Sequence, residues 1–485
     1  MVGICSFGGY VPRYRLNRML IFEAMGWLNT STIAYARGEK AVANFDEDSI
    51  TMAVAAGLDC LRGLDRSLIE GVYFASTSMP FKERLNAGII TAALGLDEHT
   101  RAADFSGGLK SSTTALLAAL EGVEAGRMKN ALACTADCRL GKPASPQEMI
   151  FGDAAAAFLV GNQDVLAEFK GSFSTTYDFV DHFRGQFAKF DRQWEDRWIR
   201  DLGFEFIIPD TLKGLLEKYS LQISDFSKVI YPCHYGAERK KLNKVLGIAP
   251  EMDQNNLLTE VGDSGAAQSL VMLAHALEEG KPGDKIIVLG FGSGCDALYF
   301  ELTENITKPR AHKGVSGYLA DKAELDKYGK YLVWRDILPA ELGPRSEEDV
   351  WTRWSFNWRK RKAILGLWGS KCTNCGTIHF PPQRICVNPE CGKVDEMEDF
   401  LLSDKAAEIL NYTGDNLAAS NDPPATYGTI RFATGGRFQF DFTDCDLDSL
   451  AVGMAMDMSF RRRSYDPKRD ISGYFWKAVP KKEVK

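Results

Sequence analysis

The first three hundred residues contain one order of predicted elements twice, and this repeat restricts the possible folds more than any other feature. Each copy has a helix, a strand, a small-residue turn that opens a helix, a strand, a glycine turn and a strand. The turn and helix lie at 104–122 in the first copy and at 262–274 in the second. This pattern predicts two duplicated α/β halves around a shared core. A site between such halves would lie where both turn-helices point inward.

The first turn-helix has the composition of a binding turn. Ser106, Gly107 and Gly108 precede an Ala/Leu-rich run with helical spacing that begins near Leu109. A helix start presents free backbone N–H groups and the positive end of the helix dipole, where a reacting atom or an anion can be held. A helix of this composition also occurs as plain core, and that interpretation stays open.

Composition excludes several classes of function. The chain has 485 residues, of which 45% are hydrophobic and 25% charged, as expected for a globular protein of two to four domains. The net charge of -7 and the scattered basic residues argue against a nucleic-acid partner. The first ten residues lack a signal-peptide pattern and no apolar run is long enough to span a bilayer. We therefore expect a cytoplasmic protein without a membrane partner.

Residues 1–304 resemble the thiolase superfamily, and within it the archaeal type of 3-hydroxy-3-methylglutaryl-CoA synthase. The resemblance depends on the order and spacing of the turn-helix at 104–116, Phe151-Gly-Asp, Tyr231-Pro-Cys-His234, Gly262-Asp-Ser-Gly and Gly290-Phe-Gly-Ser-Gly294. It implies a duplicated thiolase-like αβαβα core with halves at 1–165 and 166–304. It also implies an acyl-CoA substrate, carbon–carbon bond chemistry beside the thioester, and a homodimer formed through this domain.

The sequence departs from the family at the catalytic positions. In the family pattern Asp-x-x-x-x-Cys the nucleophilic cysteine stands five residues after the aspartate, and Leu109 occupies that position here. Thr77 stands where the synthases have a general acid/base glutamate and is expected to line the pocket, and Asp263 stands where many relatives have asparagine. Of the usual catalytic set, the resemblance leaves only His234 in place.

Another thiol could replace the missing nucleophile, so the single cysteines near these motifs were considered as candidates. Cys134 and Cys138 follow the first turn-helix, whereas Cys233 and Cys295 belong to the second half. None of the four starts a helix, and a buried, inert thiol is the expected state of each. Cys233, next to His234, remains an alternative.

A thiolase-like site without a nucleophile can still stabilise an acyl-CoA enolate. The N–H groups of Leu109 and of the turn formed by Gly292, Ser293 and Gly294 are expected to face the thioester oxygen. We assign His234 as the base or oxyanion donor and Asp263 as a proton acceptor. The predicted chemistry is aldol, retro-aldol or Claisen-type carbon–carbon bond formation or cleavage without a covalent acyl-enzyme, as in the steroid side-chain aldolases that this scheme resembles.

A non-catalytic function is the alternative. A duplicated fold without nucleophile and acid could be a scaffold that holds a separate thiolase and passes CoA esters along. His234 would then be a structural histidine with satisfied hydrogen bonds, Asp263 a helix N-cap, and Thr77 a turn residue.

Beyond the repeat, the chain changes character. We predict a linker over 305–345, followed by a helix at 347–365 on which Trp351, Trp354 and Trp358 recur at helical intervals. Tryptophans on one helix face indicate docking onto an apolar surface of a neighbouring domain or of a partner.

Four clustered cysteines are the strongest single signal in the sequence. Cys372 and Cys375 form one pair, and Cys386 and Cys391 form a second pair ten residues later. Two such knuckles predict one tetrahedral, structural Zn2+ site within 346–395. A redox pair is the weaker alternative, because no thioredoxin-like strand and helix surround either pair.

Residues 396–485 alternate apolar and polar residues in short runs broken by Gly and Asp, which predicts a small antiparallel β-barrel. Together, 345–485 resemble the DUF35 or OB-fold proteins associated with acyl-CoA enzymes. In those relatives the module is a separate chain that bridges a thiolase and a synthase and helps to bind CoA. The resemblance therefore implies a separate thiolase subunit as a partner. Binding of single-stranded nucleic acid by the barrel is disfavoured by the acidic charge.

Overall fold

The structure is a computed structural model and describes residues 1–342 and 352–482. The chain divides into two compact units. The first unit comprises 1–44, 48–88 and 99–331, and the second comprises 45–47, 89–98 and the described part of 332–485.

The strands and helices of the described residues are numbered in chain order. The strands are β1 (Gly3–Tyr10), β2 (Tyr14–Asn17), β3 (Glu39–Val42), β4 (Gly71–Ala75), β5 (Arg101–Phe105), β6 (Ala131–Asp137), β7 (Ala154–Gly161), β8 (Ala167–Thr176), β9 (His182–Phe183), β10 (Arg192–Gln193), β11 (Lys228–Ile230), β12 (Lys285–Phe291), β13 (Gly294–Leu302), β14 (Ala323–Glu324), β15 (Trp368–Cys372), β16 (Ile378–His379), β17 (Met397–Leu401), β18 (Ala407–Asp415), β19 (Ala425–Phe432), β20 (Arg437–Asp441), β21 (Ala455–Asp466) and β22 (Ile471–Pro480). The α-helices are α1 (Arg18–Met25), α2 (Ser49–Cys60), α3 (Asn86–Ala93), α4 (Ser111–Glu124), α5 (Pro146–Ile150), α6 (Asp196–Trp198), α7 (Ile208–Tyr219), α8 (Gly236–Leu246), α9 (Gln268–Glu278), α10 (Gly314–Ala320), α11 (Tyr328–Trp334), α12 (Trp354–Arg359) and α13 (Arg361–Leu365).

The predicted duplication is visible in the strand order of the first unit. Its nine-stranded sheet has the order β11-β12-β13-β8-β1-β7-β6-β4-β5. In one half β4 and β6 are parallel while β7 and β1 are antiparallel neighbours, and in the other half β11, β12, β13 and β8 repeat these directions. The counterpart of β5 is reduced in the second half to a parallel bridge between Val229 and Asp253. Both halves therefore have one topology, which confirms the duplicated α/β core.

The two turn-helices of the repeat form the shared core of this unit. α4 contacts β6 of its own half and also β12 and β13 of the other half, while α9 contacts β12 and β7. Leu116, Leu120, Leu270 and Leu273 on these helices are at most 1% exposed. Burying each such side chain stabilises the fold by roughly 1.5–3 kcal/mol. The starts of both helices are consequently held in place by a packed interior.

The interval 305–345 differs from the linker that we predicted. In its described part, α10 packs against β1 and α9, and Val315 is fully buried. The carboxylate of Asp59 accepts hydrogen bonds from the backbone N–H groups of Lys313 (2.6 Å) and Gly314 (3.0 Å). The polar sequence concealed this packing, because the buried apolar residues of the interval, such as Ile306, Val315 and Leu325, are scattered among polar ones.

The second unit contains the two small β-structures expected after the repeat. The sheet β16-β15-β17 carries the cysteine cluster, and the sheet β20-β19-β18-β21-β22 is antiparallel. A bridge between Phe442, just after β20, and Ala478 in β22 joins the two edges of the second sheet, as in a small barrel.

The predicted tryptophan helix begins later than expected in the described residues, with α12 and α13 in place of one continuous helix. Trp354 and Trp358 are exposed, and Trp358 stacks with the guanidinium of Arg361 at 4.2 Å. Trp351 lies outside the described residues. None of the helices in the described parts of the chain combines the length and apolar composition needed to cross a bilayer.

Candidate functional site

A cavity of about 60 Å³ in the first unit brings together three of the residues singled out in the sequence, Leu109, His234 and Asp263. Its apolar walls are formed by Leu109, Phe151, Ile199, Phe204, Pro232, Leu258 and Phe291. Its polar side chains include Arg139, Gln147, Asp181, His182, Asp191, Gln193, His234 and Asp263. The cavity therefore combines an apolar chamber with a cluster of charges.

Leu109 lies two residues before the first residue of α4, where the backbone N–H groups have no intrahelical partner. The hairpin between β12 and β13 comes very close to this point. A Cβ atom added to Gly292 would lie only 2.6 Å from the backbone nitrogen of Leu109. Glycine is thus required at 292 for the two predicted oxyanion segments to lie side by side.

The hairpin itself departs from our expectation that its N–H groups face a ligand. The N–H of Gly292 donates to the carbonyl of Gly294 at 2.9 Å, so this donor is already satisfied. Ser293 is exposed, has a φ of 53°, and its hydroxyl donates to the carbonyl of Phe179 at 3.4 Å. Of the predicted donors, the N–H of Leu109 is the one at a helix start beside the cavity.

His234 lies in the loop between β11 and α8 rather than on an apolar strand, because β11 ends at Ile230, two residues before Pro232. Its Nδ1 atom lies 3.6 Å from Oδ2 of Asp263, and its ring lies 4.0 Å from the ring of Tyr235. Burial lowers the pKa of His234 below its usual 6.5, and the charge of Asp263 only partly opposes this effect. The imidazole is therefore held in its neutral, basic form.

Asp263 lies in the loop that precedes α9. Its backbone N–H donates to Ile150 at 2.9 Å, and its carbonyl accepts from Gly152 at 3.1 Å, so the Phe151-Gly-Asp motif holds this loop. Its Oδ1 atom accepts from the N–H of Gly265 at 2.9 Å. Burial would raise the pKa of Asp263, but the charge of Arg139 and the hydrogen bonds from Arg139 and from the N–H of Gly265 outweigh it and leave the pKa below its ordinary value. The side chain is thus a carboxylate at neutral pH.

The sequence reasoning missed Arg139, which is 4% exposed and lies at the centre of the charge cluster. One terminal nitrogen lies 3.0 Å from Oδ1 of Asp263, and the other lies 3.6 Å from Asp191. Arg184 also pairs with Asp191, at 2.5 Å. A charged residue two positions after the buried strand β6 was the only sequence signal for this group.

Thr77 does not line the cavity. Its hydroxyl donates to Oδ2 of Asp137 at 2.7 Å, and its backbone N–H donates to Oδ1 at 2.8 Å. The same buried carboxylate accepts from both Ser76 and Ser78 and from the N–H of Ala266. Asp137 thereby ties the loop after β4 to the segment that carries Asp263, and the hydroxyl of Thr77 is used in this structural contact.

Three of the four candidate cysteines, Cys134, Cys233 and Cys295, are buried thiols and not activated nucleophiles. Cys233 lines the cavity, but burial raises its pKa to about 12. Burial also raises the pKa values of Cys134 and Cys295, which lie on the interior strands β6 and β13. These thiols stay protonated at neutral pH and are poor nucleophiles.

The four clustered cysteines of the second unit converge as predicted. Their sulfur atoms all lie within 4.8 Å of one another, with 3.7 Å between Cys372 and Cys391 and 3.5 Å between Cys375 and Cys386. Four thiolates bound to one zinc ion at about 2.3 Å lie about 3.8 Å apart, so the cluster fits tetrahedral zinc. Gly376 and Gly392, both at positive φ, end the two knuckles. Four sulfur ligands leave no open position, as in a structural site.

A comparison with protein families supports this reading of the second unit. Residues 359–398 match the family model described as "ChsH2, rubredoxin-like zinc ribbon domain". This match contains all four cysteines of the cluster.

Comparison with solved structures supports the fold of the remaining chain. A crystal structure of HMG-CoA synthase complexed with CoA has a TM-score of 0.62 and 17% identity, and the match covers 72% of this chain and 95% of that one. The 3-oxoacyl-(acyl carrier protein) synthase III of Pseudomonas aeruginosa PAO1 has a TM-score of 0.54 and 21% identity, over 62% and 98% of the two chains. These likenesses establish the thiolase-like fold.

Sequence comparison identifies the family. The hydroxymethylglutaryl-CoA synthase of Methanopyrus kandleri is 31% identical over 337 residues, which are 68% of this chain and 96% of that protein. The synthase of Pyrobaculum aerophilum is also 31% identical, over 70% of this chain and 98% of that protein. The chain therefore belongs to the hydroxymethylglutaryl-CoA synthase family, to which it adds a C-terminal zinc ribbon and a small β-domain.

Proposed function

We propose that this protein makes or breaks a carbon–carbon bond beside the thioester of an acyl-CoA, through an enolate that is never attached to the protein. The hydroxymethylglutaryl-CoA synthases among its relatives and the CoA complex of one structural neighbour support an acyl-CoA as the substrate. The family membership supports condensation-type chemistry in general. The absence of a covalent acyl-enzyme is the specific part of the proposal.

The observation that carries the proposal is the position of Leu109 at the start of α4, beside the cavity that contains His234 and Asp263. An aliphatic side chain cannot form a thioester. Cys233 lines the same cavity, but burial raises the pKa of its thiol to about 12 and keeps it protonated. A base and a carboxylate are present, whereas an activated nucleophile is not among the described residues that line the cavity.

In the cleavage direction, the neutral imidazole of His234 removes the proton of a β-hydroxyl group. The oxygen forms a carbonyl, the Cα–Cβ bond breaks, and its electron pair becomes the enolate of the thioester. We assign the N–H of Leu109 the role of stabilising the enolate oxygen. The proton on His234 then returns to Cα, which releases an acyl-CoA and an aldehyde or ketone. Condensation is the same sequence in reverse.

The test uses the purified full-length chain and a set of β-hydroxyacyl-CoA esters, with release of acyl-CoA and carbonyl product followed by chromatography. We expect turnover that His234→Ala reduces by about 10²–10⁴-fold, the usual contribution of a general base. His275→Ala is the matched control, since His275 lies on α9 beside Gln254 and does not line the cavity. No turnover in either direction by the folded wild-type chain would refute the catalytic proposal.

A scaffold function is the second candidate, and the contact between Thr77 and Asp137 favours it. The residue in the position of the family's acid/base is engaged in holding two loops together. In that case the chain would hold a separate thiolase and pass CoA esters to it. Activity that requires an added thiolase and survives His234→Ala would support this function.

Four further assignments belong to the same proposal. The zinc-ribbon match and the sulfur geometry support a structural zinc ion. A homodimer is supported by β5, which pairs with β4 and forms one edge of the sheet in the described residues, because an open edge can pair with another strand. We also propose a separate thiolase as partner and a cytoplasmic location, where the seven cysteines outside the cluster stay reduced.

A further inference from the structure

The geometry points to Arg139 as the positioning residue that sets the protonation of the His234–Asp263 pair, a role that rests on the proposed function of His234 as base. Arg139 and His234 approach different oxygens of one carboxylate. The guanidinium lies 3.0 Å from Oδ1 of Asp263, and Nδ1 of His234 lies 3.6 Å from Oδ2. The carboxylate of Asp263 therefore lies between the guanidinium of Arg139 and the neutral imidazole of His234.

The position of the guanidinium is determined from several sides. It lies 3.9 Å above the ring of Phe151, and its second terminal nitrogen lies 3.6 Å from Asp191. Gly265 covers its Nε atom, since a Cβ at 265 would lie 2.5 Å from that nitrogen. The φ of Gly265 is +59°, a conformation that glycine adopts without strain. Arg139 is thus held by an aromatic ring, a carboxylate and a backbone that allows no side chain.

Asp191, the other carboxylate of this cluster, has its own cation. Arg184 lies 2.5 Å from Oδ1 of Asp191, while Arg139 approaches Oδ2. The negative charge of Asp191 is therefore balanced by Arg184 even if the contact with Arg139 is lost. Asp263 has no second arginine within the described contacts, so its charge balance depends on Arg139 and His234.

Four charged side chains act on His234. Asp263, Asp181 and Asp196 favour its protonated form, whereas Arg139 opposes it. With Arg139 in place, the carboxylate of Asp263 stays ionised and can hold the Nδ1–H of the neutral ring, which leaves Nε2 as the basic atom. The separation of 3.6 Å is slightly longer than a hydrogen bond, as is common before substrate binds. Without Arg139, three carboxylates would favour the imidazolium, which cannot accept a proton.

The experiment measures the pKa of His234 directly, in the full-length chain and without substrate. The chain is labelled with [13C]histidine, the signal of His234 is assigned by its loss in His234→Gln, and its chemical shift is followed from pH 4 to pH 9. Arg139→Gln is the test variant. Arg239→Gln is the matched control, because Arg239 is also buried and pairs with a carboxylate, Asp253, which does not line the cavity.

We expect the pKa of His234 to rise by about one unit or more in Arg139→Gln, which changes the neutral fraction about tenfold. It should remain near the wild-type value in Arg239→Gln and in Arg139→Lys, which keeps the charge. An unchanged pKa in folded Arg139→Gln would overturn the inference.

A second variant covers the case in which Arg139→Gln does not fold. Asp263→Asn removes a charge that favours protonation of His234, while the opposing charge of Arg139 remains, so the pKa of His234 should fall further. No shift, or a rise, would overturn the inference.

A turnover assay on the same samples separates this inference from the proposed function. The pKa shifts can occur although neither the wild-type chain nor any variant turns over a β-hydroxyacyl-CoA. In that case Arg139 is confirmed as the group that sets the protonation of His234, and the catalytic proposal fails. If turnover occurs and the acidic limb of kcat/KM moves upward in Arg139→Gln, both stand. If turnover occurs without any shift, the role of Arg139 fails alone.

Discussion

The Nδ1 atom of His234 lies 3.6 Å from the Oδ2 atom of Asp263, inside a cavity whose walls are mostly apolar. The two residues come from different loops, one after β11 and one before α9. Both side chains are withdrawn from water, yet the histidine is kept neutral and the aspartate is kept ionised. This arrangement places a neutral imidazole beside a fixed negative charge within one cavity.

The first prediction concerns pH. Because burial lowers the pKa of His234 below 6.5, the basic form persists below that pH, and it is lost only when the pH falls through the lowered value. The acidic limb of kcat/KM should therefore have its midpoint below pH 6.5. A rate profile of the full-length chain with a β-hydroxyacyl-CoA measures this midpoint, and a value above 6.5 would show that a protonated His234 is not what limits the rate.

The second prediction concerns Gly265. The change Gly265→Ala places a Cβ 2.5 Å from Nε of Arg139 and 2.6 Å from Oδ2 of Asp137, at a φ of +59°. We expect a loss of about 2–4 kcal/mol in the free energy of unfolding, from overpacking and backbone strain together. Gly126→Ala is the matched control, since its φ is +67° and nothing lies within 4 Å of the added atom. Urea unfolding of both variants measures the difference, and equal losses would contradict the close contact.

The third prediction concerns Thr77, which occupies the position of the family's acid/base. Thr77→Ala removes one buried hydrogen bond to Asp137 and should lower the free energy of unfolding by about 1 kcal/mol. The hydroxyl does not line the cavity, so kcat should change less than tenfold. Steady-state kinetics and urea unfolding on one preparation test both parts. A loss of kcat above a hundredfold at normal stability would show that Thr77 takes part in the reaction.

The fourth prediction concerns the cysteine cluster. Purified protein should contain about one zinc ion per chain by mass spectrometry of the metal, and Cys372→Ser should lose it, because structural sites use all four ligands. Cys445→Ser is the control, since Cys445 lies in the same unit but outside the cluster. Zinc that remains bound at full occupancy in Cys372→Ser would show that the metal is held elsewhere.

Much of the architecture was predictable because it is encoded locally. The repeat of apolar runs and small-residue turns predicted two similar halves, and the strand order of each half confirms it. The spacing of Cys372, Cys375, Cys386 and Cys391 predicted their convergence, since short knuckles bring paired thiols together whatever the rest of the chain does. The cysteines of each knuckle lie close in sequence, and the two halves follow from a regular repeat of apolar runs and turns.

The charge cluster could not be predicted in the same way. Arg139, Asp191 and Asp263 come from three distant segments, and no local pattern says which carboxylate a buried arginine pairs with. The hydrogen bond from the hydroxyl of Thr77 to Asp137 was likewise not predictable, because the two residues lie sixty positions apart in the sequence. The position of His234 in a loop depends on where β11 ends, which short apolar runs indicate poorly.

The account depends most on the absence of a covalent acyl-enzyme, and intact-protein mass spectrometry tests this directly. The full-length chain is quenched during turnover with acyl-CoA or β-hydroxyacyl-CoA, beside Leu109→Cys as a positive control that places a thiol at the start of α4. We predict the unmodified mass for the wild-type chain and an added acyl group on Leu109→Cys. An acyl adduct on the wild-type chain that forms and decays at the rate of turnover would contradict the account.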